Sequence, residues 1–317
     1  MAQPTPPVSV TGGQISGTDN GEVRTWFGVP FAAPPVGDLR WRSPQPVVPW
    51  HGVKETRAFS PACRQTVAWI SNPQSEDCLY LNIWAPQNTR KKQAENLPVI
   101  VWIHGGGYFG GTGAQPLYDG TRLTEKGVIV VTINYRLGVF GFLATPELSA
   151  ESPDHASGNQ GIEDQIAALA WVKANIAAFG GDPDRITIMG ESAGANSVAV
   201  LVASPAAKGL FQRAIAESGN YSVPLDAGEN TRADRKTAEA EGAAFMKAQG
   251  AATIADLRHM DADTLIREKT GGRKSLDDFA KAFFNVHNGS YLPAPYTFDD
   301  VVASLNSVYP YDWATFL

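Results

Sequence analysis

Apolar positions are distributed differently in successive stretches of the chain. Residues 8–10 and 23–29 are short β-branched runs interrupted by proline and glycine, as in Pro34-Pro35-Val36-Gly37, and predict short strands and turns over residues 8–60. From residue 98 onward, apolar blocks alternate with amphipathic ones. Residues 99–103, 128–134, 186–190 and 214–218 read as strands. Between the second and third, residues 161–178 carry Ile162, Ile166, Leu169, Ala170, Lys173 and Ile176 at helical spacing, so one face packs on a sheet. Gly180-Gly181-Asp182-Pro183 ends that helix. Strands alternating with helices predict an α/β fold: a mostly parallel sheet with helices on both faces, preceded by a small N-terminal antiparallel β region. Residues 230–270 are alanine-rich, charged and helical in period. No repeat or low-complexity linker divides the chain, and residues 301–317 show no strand–turn–helix ending.

Composition narrows the classes. With 317 residues and 43% hydrophobic content the chain can bury a full core. Its net charge of −6 and lack of a basic stripe argue against nucleic acid as a partner. Apolar runs such as residues 97–103 and 128–133 are far shorter than the roughly 20 residues of a membrane span. The N-terminus has neither a basic nor an apolar segment of a signal peptide. Cys63 and Cys78 are the only cysteines. Their spacing suits one small disulfide loop in an oxidising compartment, or two core thiols.

Candidate chemistry begins at Gly190-Glu191-Ser192-Ala193-Gly194, between the strand at 186–190 and an apolar helical run at 197–202. G-x-S-x-G in that context is a nucleophile elbow. A sharp turn there strains the serine backbone, and side chains at Gly190 or Gly194 would strike the neighbouring helix or strand. The turn lifts Ser192 Oγ clear of the sheet and aims the Ala193 N–H and a helix N-terminus at a developing oxyanion. His104-Gly105-Gly106-Gly107 follows the strand at 99–103. Consecutive glycines leave N–H groups free to point into a site, so Gly106 and Gly107 join Ala193 as oxyanion donors. His104 reads as a residue that fixes this loop rather than as a base. A phosphate cradle would need Gly-Lys-Ser/Thr or a dinucleotide binder's acidic residue, and neither follows. Together the two elements point to acyl transfer, with no cofactor or metal implied.

Further motifs make a resemblance specific: Phe27-Gly28-Val29-Pro30-Phe31-Ala32, Pro34–Arg40, Glu76-Asp77-Cys78-Leu79-Tyr80-Leu81-Asn82-Ile83, Asn134-Tyr135-Arg136-Leu137-Gly138, Gly158-Asn159-Gln160-Gly161 with Asp164-Gln165, and Phe179-Gly180-Gly181-Asp182-Pro183. From about residue 8 to 220 the chain resembles the type-B carboxylesterase family, the cholinesterase-like branch of the α/β-hydrolases. The resemblance implies a Cys63–Cys78 disulfide, hence a secreted or periplasmic protein. It implies buried ion pairs Arg40–Glu76 and Arg136–Asp164, which from the residues alone would be solvated charges. It places Glu191 beside the nucleophile as an electrostatic residue or a cap of the turn. Ser218 either joins the site's hydrogen-bond network or simply ends a strand.

The same resemblance exposes a break. In this fold the acid and histidine follow the serine, and only His259 and His287 do so. His259 lies in a helical stretch and His287 before a Leu292-Pro293 pair; neither matches the family's base. The expectation is a single α/β-hydrolase domain over 1–317 that is incomplete at its C-terminus and nearly inactive alone. Its inferred chemistry is hydrolysis of a small-molecule carboxylic ester. Two alternatives stay open: a compact esterase of the hormone-sensitive-lipase type with His287 as base, and a non-catalytic cholinesterase-like binding module.

Overall fold

The structure, a computed structural model, describes residues 2–67, 69–87, 96–219 and 235–260. Its main sheet contains β1 (Gln3–Pro4), β4 (Thr18–Asp19), β5 (Val23–Pro30), β9 (Tyr80–Pro86), β10 (Leu97–Ile103), β11 (Ile129–Ile133), β12 (Gly181–Glu191) and β13 (Arg213–Glu217). They lie in the order β1-β4-β5-β9-β11-β10-β12-β13. The four pairings from β1 to β11 are antiparallel, and those joining β11, β10, β12 and β13 are parallel. β2 (Val8–Val10), β3 (Gly13–Ser16) and β6 (Val53–Glu55) form a separate small sheet, and β7 (Ala62–Cys63) pairs with β8 (Gln74–Ser75). The N-terminal β region is thus divided, with β1, β4 and β5 extending the main sheet.

Register explains the core. Val99 pairs with Ile129 and Ile186, and Val101 with Val131 and Ile188; all six are fully buried. This row continues through Ile83 and Leu81 of β9. The face packs against α4 (Gln160–Asn175) and α5 (Ala193–Ala203) through Leu169, Val172, Val198 and Leu201. α4 tightens into a 3-10 turn, Ile176–Phe179, and stops at Gly180, whose φ of 91° is left-handed. The opposite face meets α1 (Thr121–Thr124) near β9 and β11. Farther along it, Ile100, Trp102 and Met189 are half-buried beside an apolar cavity of about 300 Å³.

α2 (Gly138–Phe142), α3 (Pro146–Glu151), α6 (Arg235–Ala248) and α7 (Ile254–Arg258) build a second cluster around Phe140, Leu148, Met246 and Leu257. Within 235–260 the helical expectation for 230–270 is met by α6 and α7; residues 230–234 and 261–270 lie outside the described residues. The expectations for 301–317 and for His287 and Leu292-Pro293 also fall outside them. Among the described residues no helix is long and apolar enough to cross a membrane.

Candidate active site

β12 runs through the middle of the parallel region and delivers Ser192 at its C-terminal end, where α5 begins. Ser192 has φ 55° and ψ −121°, a conformation that L-residues rarely adopt. Its N–H donates to the Glu217 carbonyl at 2.9 Å, so the end of β13 holds the strained turn. Close packing forces the glycines flanking the elbow. A Cβ on Gly190 would overlap the Gly194 carbonyl, and one on Gly194 would overlap the Ile103 carbonyl of β10. Elbow and neighbouring strand therefore meet backbone to backbone.

The loop after β10 approaches the elbow directly. A Cβ on Gly105 would lie 3.1 Å from Ser192 Cβ and 2.7 Å from the Glu191 carbonyl. Gly106 and Gly107 follow with φ 106° and 61°. Among the described residues the N–H groups of Gly106, Gly107 and Ala193 have no acceptor, and the Ser192 hydroxyl has no hydrogen-bond partner. Three unpaired N–H groups beside a serine hydroxyl at a helix N-terminus can stabilise negative charge on an oxygen bonded to that serine's substrate.

His104 is buried beneath this loop. Its Nδ1 lies 2.8 Å from the Gly105 carbonyl, and its ring stacks on Tyr135 with centroids 4.4 Å apart. Burial pushes its pKa down to about 4, against a smaller upward pull from the Gly105 carbonyl. The imidazole is therefore neutral near pH 7 and is occupied in shaping the loop. Tyr135 donates its hydroxyl to the His104 carbonyl at 2.8 Å, and burial raises its own pKa, so the donor proton stays in place.

Gln65 clamps the far end of the loop. Its Nε2 donates to the Gly111 carbonyl at 2.8 Å, and its Oε1 accepts from the Gly111 N–H at 2.7 Å. Tyr108 is held through its carbonyl, which accepts from the Gly138 N–H at 2.7 Å. Sequence reasoning missed Gln65 and Tyr108 and saw Tyr135 only as part of a motif. A buried glutamine distant in sequence from the loop carries no spacing signal.

The remaining sequence-predicted residues fall in distinct places. Glu191 is exposed at the end of β12, with Oε2 close to Gly105. Ser218 is exposed just beyond β13 with φ 56°; its neighbour Glu217 supplies the carbonyl that holds Ser192. Cys63 and Cys78 form a disulfide. Arg40 pairs with Glu76, and Arg136 with Asp164 at 2.7 Å; both pairs are largely buried. His259 is exposed at the end of α7. None of the described histidines hydrogen-bonds Ser192 among the described residues.

A model of the carboxylesterase family matches residues 4–309. The chain is 50% identical to fumonisin B1 esterase of Sphingopyxis macrogoltabida over 217 residues, which are 67% of this chain and 39% of that protein. It is 50% identical to para-nitrobenzyl esterase of Bacillus subtilis over 214 residues, 65% of this chain and 42% of that one. A solved structure of a thermophilic PNB esterase superposes with a TM-score of 0.75 at 34% identity, covering 97% of this chain and 70% of that one. The chain spans about two fifths of the length of the two curated relatives.

Proposed function

Because the chain belongs to the carboxylesterase family, we propose that it carries the nucleophilic half of a serine esterase acting on small-molecule carboxylic esters. The observation that carries this reading is the strained Ser192 at the β12–α5 turn, set against unpaired N–H groups of Gly106, Gly107 and Ala193. Ser192 Oγ attacks the ester carbonyl carbon, and its proton passes to a base. The carbonyl oxygen takes the negative charge and is held by the three N–H groups. The alcohol then leaves, and water cleaves the acyl-enzyme. The neutral, buried His104 is not that base. The names of the relatives, a fumonisin ester and a para-nitrobenzyl ester hydrolase, favour ester substrates with sizeable organic groups. The disulfide supports an exported protein.

A fluorophosphonate probe tests the site itself. Labelling that maps to Ser192 and disappears in Ser192→Ala is expected. Well-folded protein that stays unlabelled would overturn the reading. Turnover of p-nitrophenyl esters measures separately how much proton transfer accompanies the nucleophile, since oxyanion stabilisation and binding alone supply roughly 10³–10⁴-fold over water.

A further inference from the structure

We propose that Ser197, oriented by Gln165, is a positioning residue of this site: it holds the Tyr108 ring and through it fixes the Gly107 N–H of the oxyanion hole. The inference rests on the esterase reading of Ser192. Gln165 is fully buried on α4, and Ser197 is fully buried on α5. Gln165 Nε2 donates to Ser197 Oγ at 3.0 Å, while Gln165 Oε1 has no hydrogen-bond partner among the described residues. Ser197 Oγ in turn donates to the Tyr108 hydroxyl oxygen at 3.4 Å. The direction of these bonds follows from the groups themselves. A carboxamide nitrogen can only donate, so the Ser197 oxygen accepts and its single proton is left for a second partner. A serine inside a helix can return that proton to the carbonyl four residues back, which here is Ala193 at the start of α5, and such a bond bends the helix. Ser197 gives it to Tyr108 instead. The first turn of α5, which carries the Ala193 N–H, is spared that bend, and the helix is tied to the oxyanion loop.

Tyr108 needs such a tether. It follows Gly107 directly, and both are left-handed, with φ 64° and 61°, a conformation uncommon in a non-glycine residue. The turn is tight: the Gly106 carbonyl accepts from the Phe109 and Gly110 N–H groups at 3.1 and 2.9 Å, so a shift of Tyr108 is passed to Gly107. At 3.4 Å the bond from Ser197 is longer than the ~2.8 Å usual between hydroxyls. Two contacts keep Tyr108 within its reach. The Phe142 ring lies against it with centroids 5.0 Å apart, and the Gly138 N–H donates to its carbonyl at 2.7 Å.

Fluorophosphonate labelling of the 317-residue chain reads this geometry when it is resolved into a limiting rate and a half-saturating probe concentration. The Gly107 N–H acts on charge that develops in the transition state, so the expected loss falls on the limiting rate alone. Removing an oxyanion donor outright costs roughly 10²–10³-fold, and displacing one should cost roughly tenfold. Ser197→Ala and Tyr108→Phe, the second keeping the ring and its Phe142 contact, should each show this loss. The double variant should be no slower than the slower single, because both changes break one relay. Gln165→Met, close in shape, should give a smaller loss in the same direction. A merely destabilised chain would instead lose labelled fraction while the remainder reacts at the wild-type rate. A wild-type rate in any of the three single variants, losses that multiply in the double, or a loss confined to the labelled fraction or to the half-saturating concentration would each overturn the proposal. A wild type that never labels would overturn the esterase reading itself, and this proposal with it.

Discussion

Burial decides what His104 can do. Its folded pKa, pushed down to about 4 by desolvation, lies below the ordinary histidine value, so the unfolded chain binds this proton more tightly than the folded one. Stability from the neutral ring is complete above roughly pH 6.5 and falls as the pH drops toward 4, by about 3 kcal/mol if the whole shift is expressed. Urea midpoints between pH 5 and 6.5 should decline for the wild type. They should stay level in His104→Gln, which cannot take the charge; parallel slopes would show that the ring does not titrate as its burial dictates. Gly194 carries a second prediction at this scale. A methyl group there meets the Ile103 carbonyl, so Gly194→Ala should cost about 1–3 kcal/mol and sharply reduce fluorophosphonate labelling, whereas Gly209→Ala, with open space around it, should leave labelling unchanged. Ser192, the elbow glycines and the oxyanion loop were legible because their constraint is local, with strand, turn and helix following one another in sequence. Gln65 and Tyr135 act across long sequence separations on backbone groups of the loop, and no periodicity or spacing marks such a contact.

Among elements, the buried pair Arg136–Asp164 joins the end of β11 to α4. Asp164 Oδ2 accepts from Arg136 Nε at 2.8 Å and from the Arg136 backbone N–H at 3.0 Å, while Nη1 donates to the Arg42 carbonyl at 2.8 Å. With Asp164 fully buried, removing one partner strands the other charge without solvent. Asp164→Leu should therefore cost about 3–5 kcal/mol, and Arg136→Met/Asp164→Leu much less than the two single changes added together. Denaturant titration of the three variants checks this; additive losses would mean that each residue acts alone. Element boundaries were legible where apolar runs mark them, as in β10 and β11. β12 instead starts at Gly181, five residues before Ile186, because Gly181 pairs with Leu97 across a register shift and the intervening polar residues follow in extended backbone. Two-residue strands such as β1 and β4 left no trace in the pattern. Their pairing comes from backbone hydrogen bonds that β5 templates, and side-chain hydrophobicity plays little part.

Across the whole molecule, two arginines tie the second cluster together and to the segment around Glu76. Arg40 grips Glu76 and also donates through Nη1 to the carbonyls of Leu257 and Met260, at 3.0 and 2.9 Å. Arg258 returns a bond to the Arg40 carbonyl at 3.1 Å and pairs with Glu151 at 2.7 Å. The hydrogen bond from Arg258 holds the Glu151 carboxyl below its ordinary pKa, so its share of the docking persists at neutral pH and is lost as the pH falls through the carboxylate range. Glu76 lies two residues before Cys78, inside the loop that the disulfide closes. The anchor for α7 therefore depends on a cross-link more than 170 residues away in sequence. With its cysteines 15 positions apart in sequence, the disulfide should contribute about 3 kcal/mol by restricting the unfolded chain, and its removal should also loosen Glu76 locally. In Cys63→Ala/Cys78→Ala, amide hydrogen exchange should accelerate both around residues 62–79 and at Leu257 to Met260, while α5, packed on the sheet core, keeps its relative protection. Acceleration confined to residues 62–79 would show that α7 is held by the apolar contacts of Ile254 and Leu257 alone, and that the arginine relay carries none of its docking.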